Sequence, residues 1–508
     1  MRKAIFQLNN NLGNTQQAKQ ALENAIINIP NSLELQFERA RLFPIIFQDS
    51  QEILDYRSQF NQVLDDFSKN LSLDNEQKRK AYEKVIALRS NFFLAYQGLD
   101  DLDLQIKYGE LVTRIMSANY PQWSKKITAS KLKKGEKLKV GYISFYVYAH
   151  SVTQFSLGWL KYHNRDDFEI YGYHADSDED FITEEFKKYC DVFHKIPRDL
   201  EAMAQQIAKD ELHILVYLDL GMTPITMQLA GLRLAPIQCM SWGHPMTSGL
   251  PTVDYFLSNH LMEPENAQQY YQEKLVRLPG LGMVPNKANL VLETVLNRSD
   301  FNLPDNKLIY LCSQSLWKYL PQYDYIWSEI AQKVDNSFFV FFRHMSKGIT
   351  LKFQERIAKA FTQYGLDWQQ YCYFSDRLDY HKFLRINELS DVFLDSFVWS
   401  GGISSIHAIA SSLPVVTCPG EFMRGRQAMA LLKKLNIEQT IAKNPAEYID
   451  IAVDLALNKQ FRQQIKDHIK NNEYLIYEDR SITQGLTKAY QTMWDAYIKN
   501  KPTETINL

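Results

Sequence analysis

The stretch that decides the fold is Asp391 to Ala428, DVFLDSFVWSGGISSIHAIASSLPVVTCPGEFMRGRQA. The apolar run Val392, Phe393, Leu394 predicts a buried strand that ends in an acid, Asp395. Gly401 and Gly402 supply a short loop. Ser404 and Ser405 then stand where a helix through Ile406 to Ala410 begins, and Leu413 to Thr417 is the next strand. A glycine turn feeding a helix whose first turn carries hydroxyls makes an anion site, because free N–H groups and the positive helix end favour a phosphate. A second glycine turn, Pro419-Gly420, is followed by Arg424 and Arg426. Two strand–turn–helix units with cations at the turn would hold a diphosphate at the carboxyl ends of parallel strands.

Outward from that stretch, the chain of 508 residues is long enough for two to four domains. Its 57 basic and 59 acidic residues nearly cancel and form no long basic run, so nucleic acid is not an expected partner. The five cysteines (Cys190, Cys239, Cys312, Cys372, Cys418) are scattered without a CxxC pair, which reads as reduced thiols of an intracellular protein. The opening MRKAIFQLNNNLGN turns polar after six residues, unlike a secretory signal. No apolar run approaches about 18 residues, so no membrane span is expected. A cytoplasmic location is the resulting expectation.

Residues 1–132 read as helix. Gly13-Asn14, Ala18, Leu22, Ala25 and Pro30 fall as in one tetratricopeptide repeat: alanines let two helices pack closely, and the proline opens the next unit. A plain helical hairpin domain is the other reading. Pro121-Gln122-Trp123 and ITASKLKKGEKLK predict a linker. At Leu138 the period changes. KVGYISF, EIYGYHA, ELHILVYLDL, APIQCMSWG and VDYFLSN read as strands separated by helices. LIYLCSQ, SFFVFFRH, YCYFSD, DVFLDS and PVVTCPG form a second such series. The fold class expected is therefore α/β, with two doubly wound lobes facing a cleft. The boundaries fall at 137–290 for the first lobe, 304–475 for the second and 476–508 for a C-terminal helix.

The motifs KVGYISFYVYAHSV, LAPIQCMSWGHPMTSGLPTVDYFLS, CSQSLWKYLP, YCYFSDRLDYHKFLRINELSDVFLDSFVWSGG and LPVVTCPGEFMRGR stand in this order along the chain. With them the chain resembles the bacterial SPINDLY-like, O-GlcNAc-transferase-like glycosyltransferases, which couple tetratricopeptide repeats to a two-lobed GT-B region. The long insertion between the lobes of the animal enzymes is missing; a connection of roughly Lys287 to Pro304 replaces it. The resemblance implies transfer of a sugar, GlcNAc favoured, from a nucleotide diphosphate sugar to Ser or Thr hydroxyls of protein. It implies inversion and neither metal nor cofactor. The acceptor protein or peptide would be presented by the helical repeats, and a homodimer is left open.

The same resemblance assigns site residues. Lys318 matches the family lysine that reaches the diphosphate, and a lysine with a helix N-terminus can stabilise a nucleoside diphosphate leaving group without a metal ion. Gln314 and Ser315 precede it, with Ser315 standing where the animal enzymes have glutamine. The glycine turn, Gly401 and Gly402, continues the nucleotide-sugar site, and Arg426 matches an arginine of the animal enzymes. His150 matches the family's cleft histidine, able to relay a proton near neutral pH. Asp219 ends its strand at the same edge and is a candidate base, or else a turn acid. Gly243, His244 and Pro245, with Thr247-Ser248-Gly249, are expected to line the sugar and acceptor side. His213 precedes its strand and reads as structural.

Two departures stand out. Around Ser404 and Ser405, Ile403 replaces a polar residue, and His407 replaces the acid that holds ribose hydroxyls in relatives. A neutral imidazole forgoes charge assistance, an expected loss of roughly 1–2 kcal/mol, about ten-fold in donor affinity. Two alternatives therefore stay open: a non-catalytic scaffold with a retired site, or the same enzyme class with another donor such as GDP-fucose or UDP-glucose. A metal reading rests on Asp176-Ser177-Asp178, but the helix-like ITEEFKKY that follows makes these acids helix-capping residues instead.

Overall fold

The computed structural model of the chain describes residues 13–287 and 296–508. The first twelve residues of the expected helical region and residues 288–295 of the expected connection lie outside the described residues.

The helical region starts with a hairpin of Thr15–Asn28 and Leu33–Ala40. Asn14 and Ser32 cap the two helices by accepting the Gln17 and Leu35 amides. Ala18, Leu22 and Ala25 are buried against Leu35 and Leu42, so the small residues picked out by spacing do pack one helix on the other. The helices Ser50–Lys69, Glu76–Ile86 and Leu102–Asn119 follow, and a 3-10 turn, Phe92–Gln97, interrupts them. Among the described residues no helix is long and apolar enough to cross a membrane.

The first lobe is one parallel sheet. Its strands are β1 Leu138–Ser144, β2 Phe168–His174, β3 Val192–Lys195, β4 Ile214–Tyr217, β5 Ile237–Met240, β6 Tyr255–Asn259 and β7 Lys274–Leu278. The second lobe is a smaller parallel sheet of β8 Leu308–Cys312, β9 Ser337–Phe342, β10 Cys372–Ser375, β11 Val392–Leu394 and β12 Val415–Val416. A last strand, β13 Ile506–Asn507, returns to the first lobe, where it pairs in parallel with β7. The orders are β13-β7-β6-β5-β4-β1-β2-β3 and β10-β9-β8-β11-β12. Every pairing is parallel, so helices cover both faces and the central strands are buried along their length, as the patterns of β4, β5 and β8 show.

The C-terminal helix expected as a separate piece, Ser481–Ile498, packs on the first lobe, with the Tyr490 and Tyr142 hydroxyls 2.9 Å apart. β3, β7 and β13 were not anticipated: VFHK, KLVRL and IN are too short or too mixed to stand out as buried strands. His213 is structural, as expected, its Nδ1 accepting the Lys139 amide at 2.9 Å. The acidic run after β2 caps a helix through Asp180, whose carboxylate accepts the Ile182 and Thr183 amides.

The helical region touches both lobes. Helix Leu102–Asn119 meets the first lobe so closely that a Cβ on Gly109 would lie 2.1 Å from the Gly249 carbonyl oxygen, and Gly249 itself sits at φ +68°. Toward the second lobe, Arg356 donates to the Phe47 carbonyl at 2.9 Å while bound to Asp324. Arg424 pairs with buried Asp101 at 3.1 Å and donates to the Leu99 carbonyl.

Candidate active site

The carboxyl ends of β1, β4, β5, β8 and β11 face one cleft, the position where doubly wound sheets place their ligands. The cavity there is about 410 Å³. From the first lobe it is bordered by His150, Gly243, His244 and Pro245; from the second, by Gln314, Ser315, Lys318, Gly402, Ile403 and Ser404. These ten are residues the sequence reading singled out, contributed by four separate loops.

Lys318 lies in the 3-10 turn after β8. Its Nζ donates to Gln314 Oε1 at 2.8 Å, and Gln314 Nε2 donates to Ser404 Oγ at 2.5 Å, which ties the lysine to the glycine turn. The ammonium is 5.6 Å from the centre of the Trp399 ring, a cation–π contact. Burial pulls the amine down to about 8, with Asp395 partly opposing.

Asp395 organises the turn. It is buried and accepts from Ser400 Oγ at 2.6 Å, the Gly401 amide at 2.7 Å and Thr417 Oγ1 at 2.7 Å. Burial lifts its carboxyl to about 6 in spite of these donors. The Gly401 N–H is thus spent on the fold and is not free for a phosphate. The helix runs Ile403–Ala410, beginning earlier than expected, with Gly402 as an N-cap that no side chain caps. Both glycines leave room for the side-chain ends that fill the turn. A Cβ at Gly401 would lie 2.5 Å from Gln314 Nε2, and one at Gly402 2.5 Å from Gln427 Oε1.

His150 caps helix Ser151–Lys161, its Nδ1 accepting the Val152 amide at 3.2 Å. Burial lowers its pKa below the usual imidazole range. The neutral ring with Nδ1 so engaged carries its proton on Nε2, which makes it a donor first. His244 is buried, stacks on Phe92 at 4.9 Å and is held neutral, its pKa driven down to about 3 by burial. Neither of its ring nitrogens has a hydrogen-bond partner.

Five expected residues, Asp219, Gly401, Ser405, His407 and Arg426, stand off the cavity. Asp219 is fully buried, accepts the Phe145 amide at 3.2 Å, and is pushed up to about 7 by burial. His407 packs edge-on to Tyr380 and Phe383, with ring centres 5.5 and 5.7 Å away, so its imidazole faces helix Tyr380–Leu389 and not the cleft. Its pKa falls to about 4. Arg426 donates to the carbonyls of Met262 at 2.9 Å and Gly420 at 3.1 Å, tying its turn to the first lobe. Ser405 is buried with an unpartnered hydroxyl. Thr247 and Ser248, expected near the sugar, bind buried Glu273.

Sequence reading missed the aromatic part of the cleft. Phe92 and Tyr96 from the helical region border the cavity with Trp242, Trp317 and Trp399. Tyr96 and Trp399 stack at 3.9 Å with 17° between their planes. The available signal was the aromatic density of NFFLAYQGLDD, residues 91–101, which carries no helical period. Among the described residues no three His, Cys, Asp or Glu side chains gather as metal ligands.

Two parallel-sheet lobes around a cleft holding a half-buried lysine and a helix N-terminus define a two-lobed GT-B fold. The chain belongs to glycosyl transferase family 41, whose model matches residues 110–293 and 284–482. It is 27% identical over 420 residues to the Arabidopsis thaliana protein named "Probable UDP-N-acetylglucosamine--peptide N-acetylglucosaminyltransferase SPINDLY", covering 80% of this chain and 44% of that one. To the Arabidopsis thaliana relative named with the same activity and called SEC it is 26% identical over 375 residues, covering 71% and 38%. The chain spans less than half the length of these curated relatives. A mutant of the Thermobaculum terrenum O-GlcNAc transferase shares the fold, with a TM-score of 0.72, 19% identity, and coverage of 96% of this chain and 89% of that one.

Proposed function

We propose that this chain transfers N-acetylglucosamine from UDP-N-acetylglucosamine to Ser or Thr hydroxyls of protein, with inversion and without a metal ion. The observation that carries the reading is Lys318, held by Gln314 against the Gly402–Ser404 helix start and facing His150 and His244 across the cleft. Family membership and the names of the curated relatives supply the donor and acceptor classes.

In the proposed step the acceptor oxygen attacks the anomeric carbon as the bond to the diphosphate oxygen breaks. The leaving group gains negative charge, which the Lys318 ammonium and the free amides of helix Ile403–Ala410 offset. At pH 7 a lysine with a pKa of about 8 is still mostly protonated, so it enters the step as a cation. His150 enters as an Nε2–H donor beside the reacting groups, and the acceptor proton leaves to solvent. Such chemistry fits a cytoplasmic protein, where nucleotide sugars are made.

The test is calorimetric titration in EDTA with UDP, GDP, UDP-N-acetylglucosamine, UDP-glucose and GDP-fucose, with transfer to a Ser/Thr peptide followed by mass. Micromolar uridine binding and one added N-acetylhexosamine support the reading. Guanosine binding, or silence with every ligand, overturns it.

A further inference from the structure

Beside the cleft lies a second cavity of about 540 Å³, between the helical region and the first lobe. It shares Phe92, His150 and Met222 with the first, so the two lie side by side. Its walls are largely apolar, from Phe43 and Phe93 on one side to Tyr146 and Pro224 on the other. Arg41 also lines it, although only 5% exposed. The guanidinium donates to the Arg89 carbonyl and, at 2.8 Å, to Asn91 Oδ1, and lies over the Phe37 and Tyr108 rings. Its Nη1 is buried and without a hydrogen-bond partner. The nearby carboxylate, Glu38, is paired with Arg89 at 3.0 Å.

A guanidinium set in a low-dielectric wall and answered by neutral oxygens and ring faces leaves an uncompensated positive field. That field reaches a carboxylate in the cavity without direct contact. We propose that this cavity is an acceptor subsite that selects a polypeptide carrying an Asp or Glu side chain close to the hydroxyl to be modified. The inference rests on the proposed transfer for the word acceptor, but its physical content, preference for an acidic peptide at the Arg41 cavity, does not. An acidic residue there would leave the neighbouring hydroxyl beside His150, which borders both cavities.

The test pairs a direct binding measurement with transfer. Fluorescent Ser-containing peptides that differ only in Glu or Gln at positions flanking the serine are titrated by anisotropy against the full chain with UDP present. The acidic peptide is expected to bind roughly ten-fold more tightly, as attraction between opposite charges across a low-dielectric wall should. Arg41→Met should remove the difference. Because that variant removes the buried bonds to the Arg89 carbonyl and Asn91, Asn91→Asp is the second: it keeps an acceptor for Arg41, gives up the 2.8 Å bond to Gln105, and sets a carboxylate beside the guanidinium, which should abolish the preference in a variant that still melts cooperatively. Equal binding of both peptides, no binding of either, or a preference that survives in a folded variant overturns the subsite. Transfer to peptides without acidic preference overturns the subsite alone. Acidic preference without transfer to any peptide overturns the proposed activity and leaves the subsite standing.

Discussion

The Asp395 carboxylate accepts the Gly401 amide at 2.7 Å, so the acid that ends β11 holds the first glycine of the turn in place. The same carboxylate reaches across to Thr417 at the end of β12. Replacing it with alanine leaves three buried donors unanswered, each worth about 1 kcal/mol or more. Asp395→Ala is expected to lower thermal stability by several degrees and to weaken UDP binding together. A variant that melts normally and binds UDP normally would remove Asp395 from this role.

Lys318 should set the pH dependence of donor binding. Its pKa lies below the ordinary lysine value, so the cation is present below about 8 and is lost as pH rises through that point. A bound diphosphate favours the charged form, so UDP affinity should fall between pH 7 and pH 9. Lys318→Met should bind UDP roughly ten- to a hundred-fold more weakly at pH 7, with the pH slope gone. Calorimetry at three pH values reads both effects.

His407 should matter to the fold and little to the ligand, since its ring packs on Tyr380 and Phe383. His407→Ala is expected to cost about 1 kcal/mol of stability through lost aromatic contacts while UDP affinity stays within about two-fold of the parent, because no cleft contact is removed. A ten-fold loss of affinity in a fully folded variant would restore the ribose role that sequence pattern assigned to this position.

The Tyr96–Trp399 stack joins the helical region to the second lobe at the cleft wall. Tyr96→Ala removes a buried aromatic ring, a change that costs about 3–5 kcal/mol in well-packed sites. The variant should lose donor affinity as well as stability, because Trp399 also faces the Lys318 ammonium. Tyr96→Phe keeps the ring and should behave as the parent in melting and in UDP titration.

The two-lobed fold was legible because parallel strands buried on both faces read as apolar runs, and because glycine turns mark their carboxyl ends. Lys318 and Gln314 were legible through the CSQSLWKYLP motif that carries the family resemblance, and Ser404 through the glycine turn before a helix. Orientation was not. Nothing in ISSIHAIA tells that Ile403 and Ser404 face the cleft while His407 turns to a neighbouring helix, since that depends on where helix Tyr380–Leu389 packs. Arg426 carries the charge a diphosphate would want, yet its donors are used by two carbonyls that come close only in three dimensions. The part played by Phe92 and Tyr96 escaped because a sequence partitioned into domains hides a wall shared by three of them.

The return of β13 to the edge of the first lobe sets an order on biosynthesis. β1 to β7 emerge from the ribosome well before residues 481–507, which supply both the helix against Tyr142 and the strand beside β7. The first lobe therefore waits, with β7 unpaired on its outer side, through translation of the whole second lobe. Such an exposed edge invites pairing with other chains. Nascent polypeptides stalled before residue 481 should be the species that chaperones retain, and the first lobe should be completed after the second.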